Sequence, residues 1–462
     1  MPVYEASLLE GYDMREKLLS IGEKAIEDVE KLGADQVEVY TSFSKSFSID
    51  VENNAVKSAS RDTDGGCGIR TIIDNAVGFA YVTTLQSKDI AEAVERSVAL
   101  ARASVPDPDF VSLPAVSSKY PSVKGLFDPK MESISSEDSA ELILAAVDAA
   151  REDLSDKKVA VEARINLAVS ERGIVNSLGV SGSSKTSFGY LYISPTIKEP
   201  NEQTSSYEYR ISRNVGDLDP EEVGAIAARN ARGNLGARTI EGGDMPILLA
   251  PMAVSTVIGG GFSGAVNAEE VQYGRSYISD AIGEQIGSGI LSIVDDALLS
   301  GGIGSRPFDA EGFPSSRTDV LEAGVLRSLL HNSYTANKDA VDNTGNASRA
   351  SYAGLPSIAT SNLVVEPGHQ TQEDLISQID RGILCRQTGD RPNMTTGDLS
   401  AMIMEGSYIE GGEVKHSLKN TLFGINMLDL LDRVKAVGND TRVTVGAITP
   451  SILIESGKVT SG

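Results

Sequence analysis

The chain is 462 residues long and carries 41 basic against 65 acidic side chains, a formal net charge of −24, with three histidines, two cysteines and no tryptophan. A surface so acidic repels phosphate backbones and anionic lipid headgroups, which excludes direct nucleic-acid and membrane partners. At 40% hydrophobic and 23% charged residues the composition is that of an ordinary globular protein, long enough for more than one domain.

The first residues, Met1-Pro-Val-Tyr-Glu-Ala6, have neither a basic start nor an apolar run, so no signal peptide is expected. Residues 12–32 place apolar side chains at helical spacing. Short β-rich runs follow at 36–43, 46–51, 68–73 and 77–83, separated by the turn residues Glu52-Asn53-Asn54 and Asp64-Gly65-Gly66, which predicts an antiparallel meander. Ser87 caps a second helix over 88–103, and the stretch 104–130, with several prolines and no period, reads as a linker. The same order then recurs, with a helix over 136–152 and strands over 159–169, 174–181 and 187–193. A further helix opens at Asp219-Pro220-Glu221-Glu222, with Asp219 as its N-cap. Individual residues also match: 52–58 with 171–177, and 76–83 with 187–194. The prediction is an α+β fold. Its N-terminal domain, 1–240, holds two repeated helix–antiparallel meander–helix units, about 1–110 and 131–240, with their sheets continuous.

After Gly242-Gly243 glycine becomes frequent and short alternating apolar runs continue to the C-terminus, which predicts a C-terminal β-rich domain over 241–462. Candidate strands lie at 246–250, 289–295, 317–322, 325–331, 362–366, 398–405, 407–410, 413–417 and 443–448, with short helices at 375–382 and 428–434. The uncharged stretch 245–268 contains Pro246 and Pro251 and is flanked by acids rather than bases, so it reads as buried core and not as a membrane span.

The residues offer little chemistry. A hydrolytic zinc needs about three protein ligands and an open water position, and His331, His369 and His416 each lack a second ligand one helical turn away. No GxSxG elbow occurs; Gly261-Phe-Ser-Gly264 is one residue short of it. The run Gly259-Gly-Gly-Phe-Ser-Gly264 satisfies GxGxxG but follows helical pattern instead of opening a helix, so its glycines read as a helix terminator that permits close packing. Cys67 and Cys385 stand far apart without CxxC spacing, which fits a reducing cytoplasm and gives no sign of a reactive thiolate. The acid pairs Asp295-Asp296, Asp309/Glu311 and Glu410/Glu413 read as coincidences at turns and strand ends in a chain with so many acids.

Several medium-length motifs stand in order: Ser305-Arg-Pro-Phe-Asp-Ala-Glu-Gly312, Gly324-Val-Leu, Thr344-Gly-Asn-Ala347, Gly397-Asp-Leu-Ser400, Tyr408-Ile-Glu-Gly-Gly-Glu413 and Val437-Gly-Asn-Asp440. In this the chain resembles the TldD/PmbA family over essentially its whole length. In that family the TldD branch carries HExxxH on a helix and a later cysteine, the zinc site of a metalloprotease, while the PmbA (TldE) branch lacks them and pairs with TldD. Here the HExxxH positions hold Ser255-Thr-Val-Ile-Gly-Gly260, and 443–447 contains no cysteine, so the likeness is to PmbA/TldE, including Ala250-Pro-Met at the helix start. The resemblance implies a chain without catalytic or metal-ligating residues, whose zinc would sit in a TldD-like partner subunit. It implies a heterodimer with that partner or a homodimer, an unfolded peptide as substrate, and only an indirect connection to DNA gyrase. Thr344, Asn346 and Arg349 are the candidates for contact with a peptide cleft, the other reading being that they shape a buried turn. The alternative function is a self-sufficient homodimeric peptidase or other hydrolase with a non-standard metal site built from carboxylates or thiols.

Overall fold

A computed structural model describes residues 13–115 and 119–462; the start of the chain, with Tyr12 of the first predicted helix, lies outside the described residues. Helix α1 (Met14–Lys31) begins where the Asp13 carboxylate accepts from Arg15 N, and buries Leu18, Gly22, Ala25, Ile26 and Val29 along one stripe. The meander that follows has longer strands than predicted. Strands β1 (Gln36–Glu52) and β2 (Ala55–Ile73) pair over their whole length, and β3 (Ala76–Val82) pairs with the end of β2. The connections are the two-residue turns Asn53-Asn54 and Asp74-Asn75, whose φ angles of 51°, 67°, 49° and 62° suit short polar side chains.

Asp64-Gly65-Gly66 is not a turn. Gly65 and Gly66 sit inside the ladder opposite Phe43 and Ser42. A side chain at Gly66 would run into the Tyr352 ring and Val82 O, and one at Gly68 into Tyr352 O. The glycines are there so that a C-terminal segment can lie directly on the sheet.

Helix α2 (Ser87–Ala103), the short α3 (Pro129–Ser133) and α4 (Ser136–Asp153) lead into the second meander, β4 (Val159–Asn176) and β5 (Ser181–Lys198), with β6 (Gln203–Ser205) and β7 (Glu208–Ser212) both on β5. Helix α5 (Pro220–Gly233) closes the unit. Asp219 does not cap it: its backbone is left-handed (φ 43°, ψ 65°), the side chain makes no cap bond, and the carboxylate meets Arg210 Nη1 at 3.3 Å instead. The strand order β3-β2-β1-β4-β5-β6 makes the two meanders one continuous sheet. The repeat lies in this order of elements. The residue likeness of 76–83 to 187–194 does not trace it, because it links the third strand of one unit to the second strand of the other.

Alternation along the strands gives the sheet two different faces. One packs on helices: Val37, Val39 and Ile69 meet Ala25, Val29, Ala93 and Val94 of α1 and α2, and Ile165, Leu167 and Leu191 meet Ile143, Val147, Val223 and Ala227 of α4 and α5. The other face carries Glu38, Tyr40, Arg70, Arg172 and a row of serines, and its upper part meets the C-terminal half.

That half is built on an eight-stranded sheet and a six-stranded sheet around one large core. The uncharged stretch is part of this core: Met245, Ile247, Leu249, Val254, Val257, Ile258, Phe262 and Ala265 are all buried in it. Among the described residues no helix is long and apolar enough to cross a membrane. The helix predicted over 375–382 is in fact a shorter helix, Gln372–Ser377, followed by the central strand Arg381–Gln387. Buried on both faces, Ile383-Leu384-Cys385 form an unbroken apolar run without the alternation that would mark them as a strand, and no element is predicted there. The strand predicted at 325–331 is a strand only over Val325–Leu326, with an isolated bridge from Leu330 to Asn267, and that at 443–448 is a hairpin of Arg442–Thr444 and Ala447–Thr449 turning at Gly446.

Candidate functional site

Strand Gly243–Leu249 delivers the chain through Ala250 and Pro251, a favourable first helical residue, into a helix running to Ala265. Its middle, Ser255–Gly260, is a π-turn. The glycines therefore do not end the helix, as predicted, but they do serve close packing. A Cβ on Gly261 would stand 2.6 Å from Pro392, and one on Gly259 3.1 Å from Ala447 Cβ. The π-turn has a geometric effect. Residues five apart on an α-helix point about 140° away from each other, whereas closing hydrogen bonds from i to i+5 brings them to one side. Ser255 and Gly260, which the resemblance sets against the two histidines of HExxxH, are thereby turned toward one side, and a Cβ on the intervening Gly259 would stand 3.6 Å from Ser255 Oγ.

That face holds no metal donors. Ser255 Oγ and Thr444 Oγ1 are 2.6 Å apart, and Thr444 Oγ1 in turn donates to Ala447 O at 3.0 Å. Thr256 Oγ1 donates back to Met252 O at 3.2 Å. Neutral hydroxyls and a glycine supply no imidazole, carboxylate or thiolate, so this set does not fit zinc. Among the described residues no group of three or more His, Cys, Asp or Glu side chains could hold a metal ion. The histidines lie on separate elements. His331 is buried and held below its usual pKa by desolvation, His416 stacks on the Tyr408 ring at 5.5 Å, and His369 precedes the helix Gln372–Ser377.

Both thiols are buried, and burial pushes each up to about 12. Neither is a thiolate near neutral pH, so native protein should resist iodoacetamide and take up both labels only in denaturant, as read by intact mass. Rapid native labelling of either residue would reopen a thiol mechanism.

The polar face of the N-terminal sheet and the loop 303–310 enclose a pocket of about 460 Å³. Four arginines line it, Arg172 from β4, Arg213 following β7, Arg306 and Arg349, against a single acid, Asp309. Arg213 is wrapped by carbonyls, donating to Gly302 O, Ser187 O, Leu126 O, Ile303 O and Ser305 O at 2.5–3.4 Å. Arg349 pairs with Glu38 and donates to Gly354 O at 2.7 Å. Glu38 also accepts from Arg70 Nη2 at 2.7 Å, and Arg70 reaches Glu311 at 3.1 Å. Four buried side chains from two β-strands and two distant loops thus form one chain of charge between the halves.

Asp309 and Glu311 are part of this interface and not a coincidence at a turn. Asp309 accepts from Glu311 N, Phe313 N and Ala347 N, and burial, with the charge of Glu311 added, pushes it up to about 7. Burial opposes the charge of Glu311 too, but Arg70 and Ser333 N hold it below the usual carboxylate range. Asp295 is likewise buried, and its desolvation outweighs the bonds from Asn346 and Ser361 that favour its charge.

Of the three cleft candidates, Arg349 lines the pocket. Thr344 and Asn346 stand behind the wall: Thr344 Oγ1 accepts from His331 N at 2.7 Å, and Asn346 Nδ2 donates to Asp295 at 2.7 Å. Glu38, Arg70, Arg172, Arg213 and Arg306 were not singled out from the sequence. The available signal was a charge set among β-branched neighbours in a strand, Glu38 between Val37 and Val39 and Arg70 between Ile69 and Thr71.

Models of PmbA/TldA metallopeptidase domain 1, central domain and C-terminal domain match residues 37–101, 129–235 and 242–461. Metalloprotease PmbA of Escherichia coli O157:H7 is 26% identical over 432 residues, covering 92% of each chain. TldE from Thermococcus kodakarensis superposes with a TM-score of 0.88 at 25% identity, over 95% of this chain and 99% of that one. A Thermotoga maritima protein with a provisional DNA gyrase modulator name gives a TM-score of 0.86 at 26% identity, over 96% and 99%. Matched in order by all three domain models and nearly end to end by these relatives, the chain belongs to the TldD/PmbA family of metallopeptidases.

Proposed function

We propose that this chain is the PmbA/TldE-like, non-catalytic subunit of a zinc metalloprotease of the TldD/TldE type, which degrades or processes unfolded peptides in the cytoplasm. The carrying observation is the π-turn with the Ser255–Thr444 hydroxyl pair in place of metal ligands. In this reading the zinc belongs to a TldD-like partner, and the present chain shapes the peptide cleft, with Arg349 as a contact and Thr344 and Asn346 holding the loop behind it. The charge of −24 argues that any effect on gyrase passes through a proteolysed protein.

Co-expression with a TldD-like chain from the same source tests the proposal. A stable complex with about one zinc per pair, and peptidase activity lost when the partner's ligands are removed, is the expected result. Stoichiometric zinc on this chain purified alone would favour the self-sufficient homodimeric hydrolase instead, and absence of any complex would remove the partner.

A further inference from the structure

The inter-domain pocket has an imbalance that the charge network does not use up. Its lining includes Arg172, Arg213, Arg306 and Arg349 against Asp309 alone, in a chain whose overall charge is strongly negative. Among the described residues, Arg349 alone of the four has a carboxylate partner, Glu38. Arg172 is exposed to solvent, and its side chain has no hydrogen bond or ion pair among the described residues. Arg306 donates through Nη2 to Gly345 O at 3.3 Å, while its Nε is buried and without a partner. A buried guanidinium N–H left unbonded is costly and calls for an explanation.

The neighbouring acids do not supply one. Asp309 spends its oxygens on three backbone N–H groups, and Asp295 spends its own on Asn346 and Ser361. Burial lowers Arg213 to about 10 and lowers Arg306 as well; the charge of Arg172 adds to this at both, and Asp309 and Asp295 oppose it at Arg306. Arg172 is thus close enough to repel both Arg213 and Arg306, an arrangement that favours an anion between them.

We propose that this pocket is an oxyanion-binding site in which Arg172 and Arg306 hold a carboxylate or phosphate group, with a peptide's free C-terminal carboxylate as the favoured form. Planar, charged donors suit both groups. The peptide form is favoured by what lies outside the pocket. Along β5, Thr186 and Phe188 in the pocket wall are followed on the same face by Tyr190 and Tyr192, in an open trough with Asp50 and Arg164. From Thr186 to Tyr192 this row extends about 20 Å, room for an extended segment of about six residues. The peptide form rests on the peptide-handling reading above; the anion site itself does not.

Calorimetric titration of the isolated full chain tests it, using an N-acetylated hexapeptide with uncharged side chains as the free acid, the same peptide as its C-terminal amide, and inorganic phosphate. The free acid is expected to bind at least about tenfold more tightly than the amide, and Arg172→Gln, at an exposed site that leaves the fold intact, to remove about tenfold of that affinity. Arg306→Gln, checked for native circular dichroism, should do the same. Phosphate binding that is weakened by both substitutions, with no preference for the free acid, would keep the oxyanion site and overturn the peptide end. Equal binding of acid and amide with no phosphate binding, or binding indifferent to both substitutions, would overturn the site. Zinc content and co-expression do not enter these titrations, so failure here and failure of the subunit assignment are separable.

Discussion

Glu38→Ala is expected to lower stability by about 3–5 kcal/mol, the usual loss when one partner of a buried charge network is removed. Glu38 is 1% exposed and is shared between Arg70, at 2.7 Å, and Arg349, itself stacked over the Tyr40 ring with 5.3 Å to its centroid. Without it two buried guanidinium groups face each other with one remaining carboxylate, Glu311, within reach of Arg70. Because Glu38 and Arg70 belong to the N-terminal sheet and Arg349 and Glu311 to the C-terminal half, the loss acts on the contact between them. Differential scanning calorimetry should show a much lower first transition, with the two halves unfolding separately. Lys24→Ala is the control, breaking an exposed pair with Asp28 and leaving the melting profile unchanged. A Glu38→Ala profile no different from that control would mean that the network does not join the halves.

The second large effect is a gain. If the π-turn preserves the geometry of a metal-binding helix, then Ser255→His and Gly260→His, five residues apart, should present two imidazoles on one face, and Thr444→Cys should place a thiolate beside the first. Thr256→Glu adds a carboxylate on the same turn. One neighbour must give way: a Cβ at Gly260 would stand 3.0 Å from Arg391 Nε, so Arg391→Ala belongs in the variant. The combined variant is expected to retain about one zinc per chain after dialysis against a weak chelator, where the unsubstituted protein retains none. Elemental analysis reads this directly. A variant that keeps native circular dichroism and takes up no zinc would show that the turn is not in a ligand-presenting register.

The two halves of the molecule were legible in the sequence to different degrees, for physical reasons. Helices α1, α2, α4 and α5 bury one stripe each, so spacing located them to within a few residues. The absence of HExxxH is a local property of consecutive positions and needed no structure. Most of Arg381–Gln387 received no prediction because a strand covered on both faces loses its alternation. Gly65-Gly66 was misread because close approach by Tyr352, nearly three hundred positions away, leaves the same local mark as a turn. The arginine pocket escaped for a related reason. Arg172, Arg213, Arg306 and Arg349 are spread over strand, loop and turn, and no window along the chain contains two of them.

The continuous N-terminal sheet has a symmetry with consequences for assembly. Strands β1 and β4 meet antiparallel along its midline, from Glu38 opposite Asn176 to Val51 opposite Ala163, and each meander adds its remaining strands outward from there. A half-turn about an axis through this seam exchanges one unit for the other, so the two edges that meet are equivalent, as in an isologous dimer interface. Either unit alone would expose that long edge of unpaired N–H and C=O groups, an invitation to pair with whatever strand comes next. The N-terminal domain is in effect a dimer written into one polypeptide, whose interior strands close each other off and leave only the outer edges free for another chain.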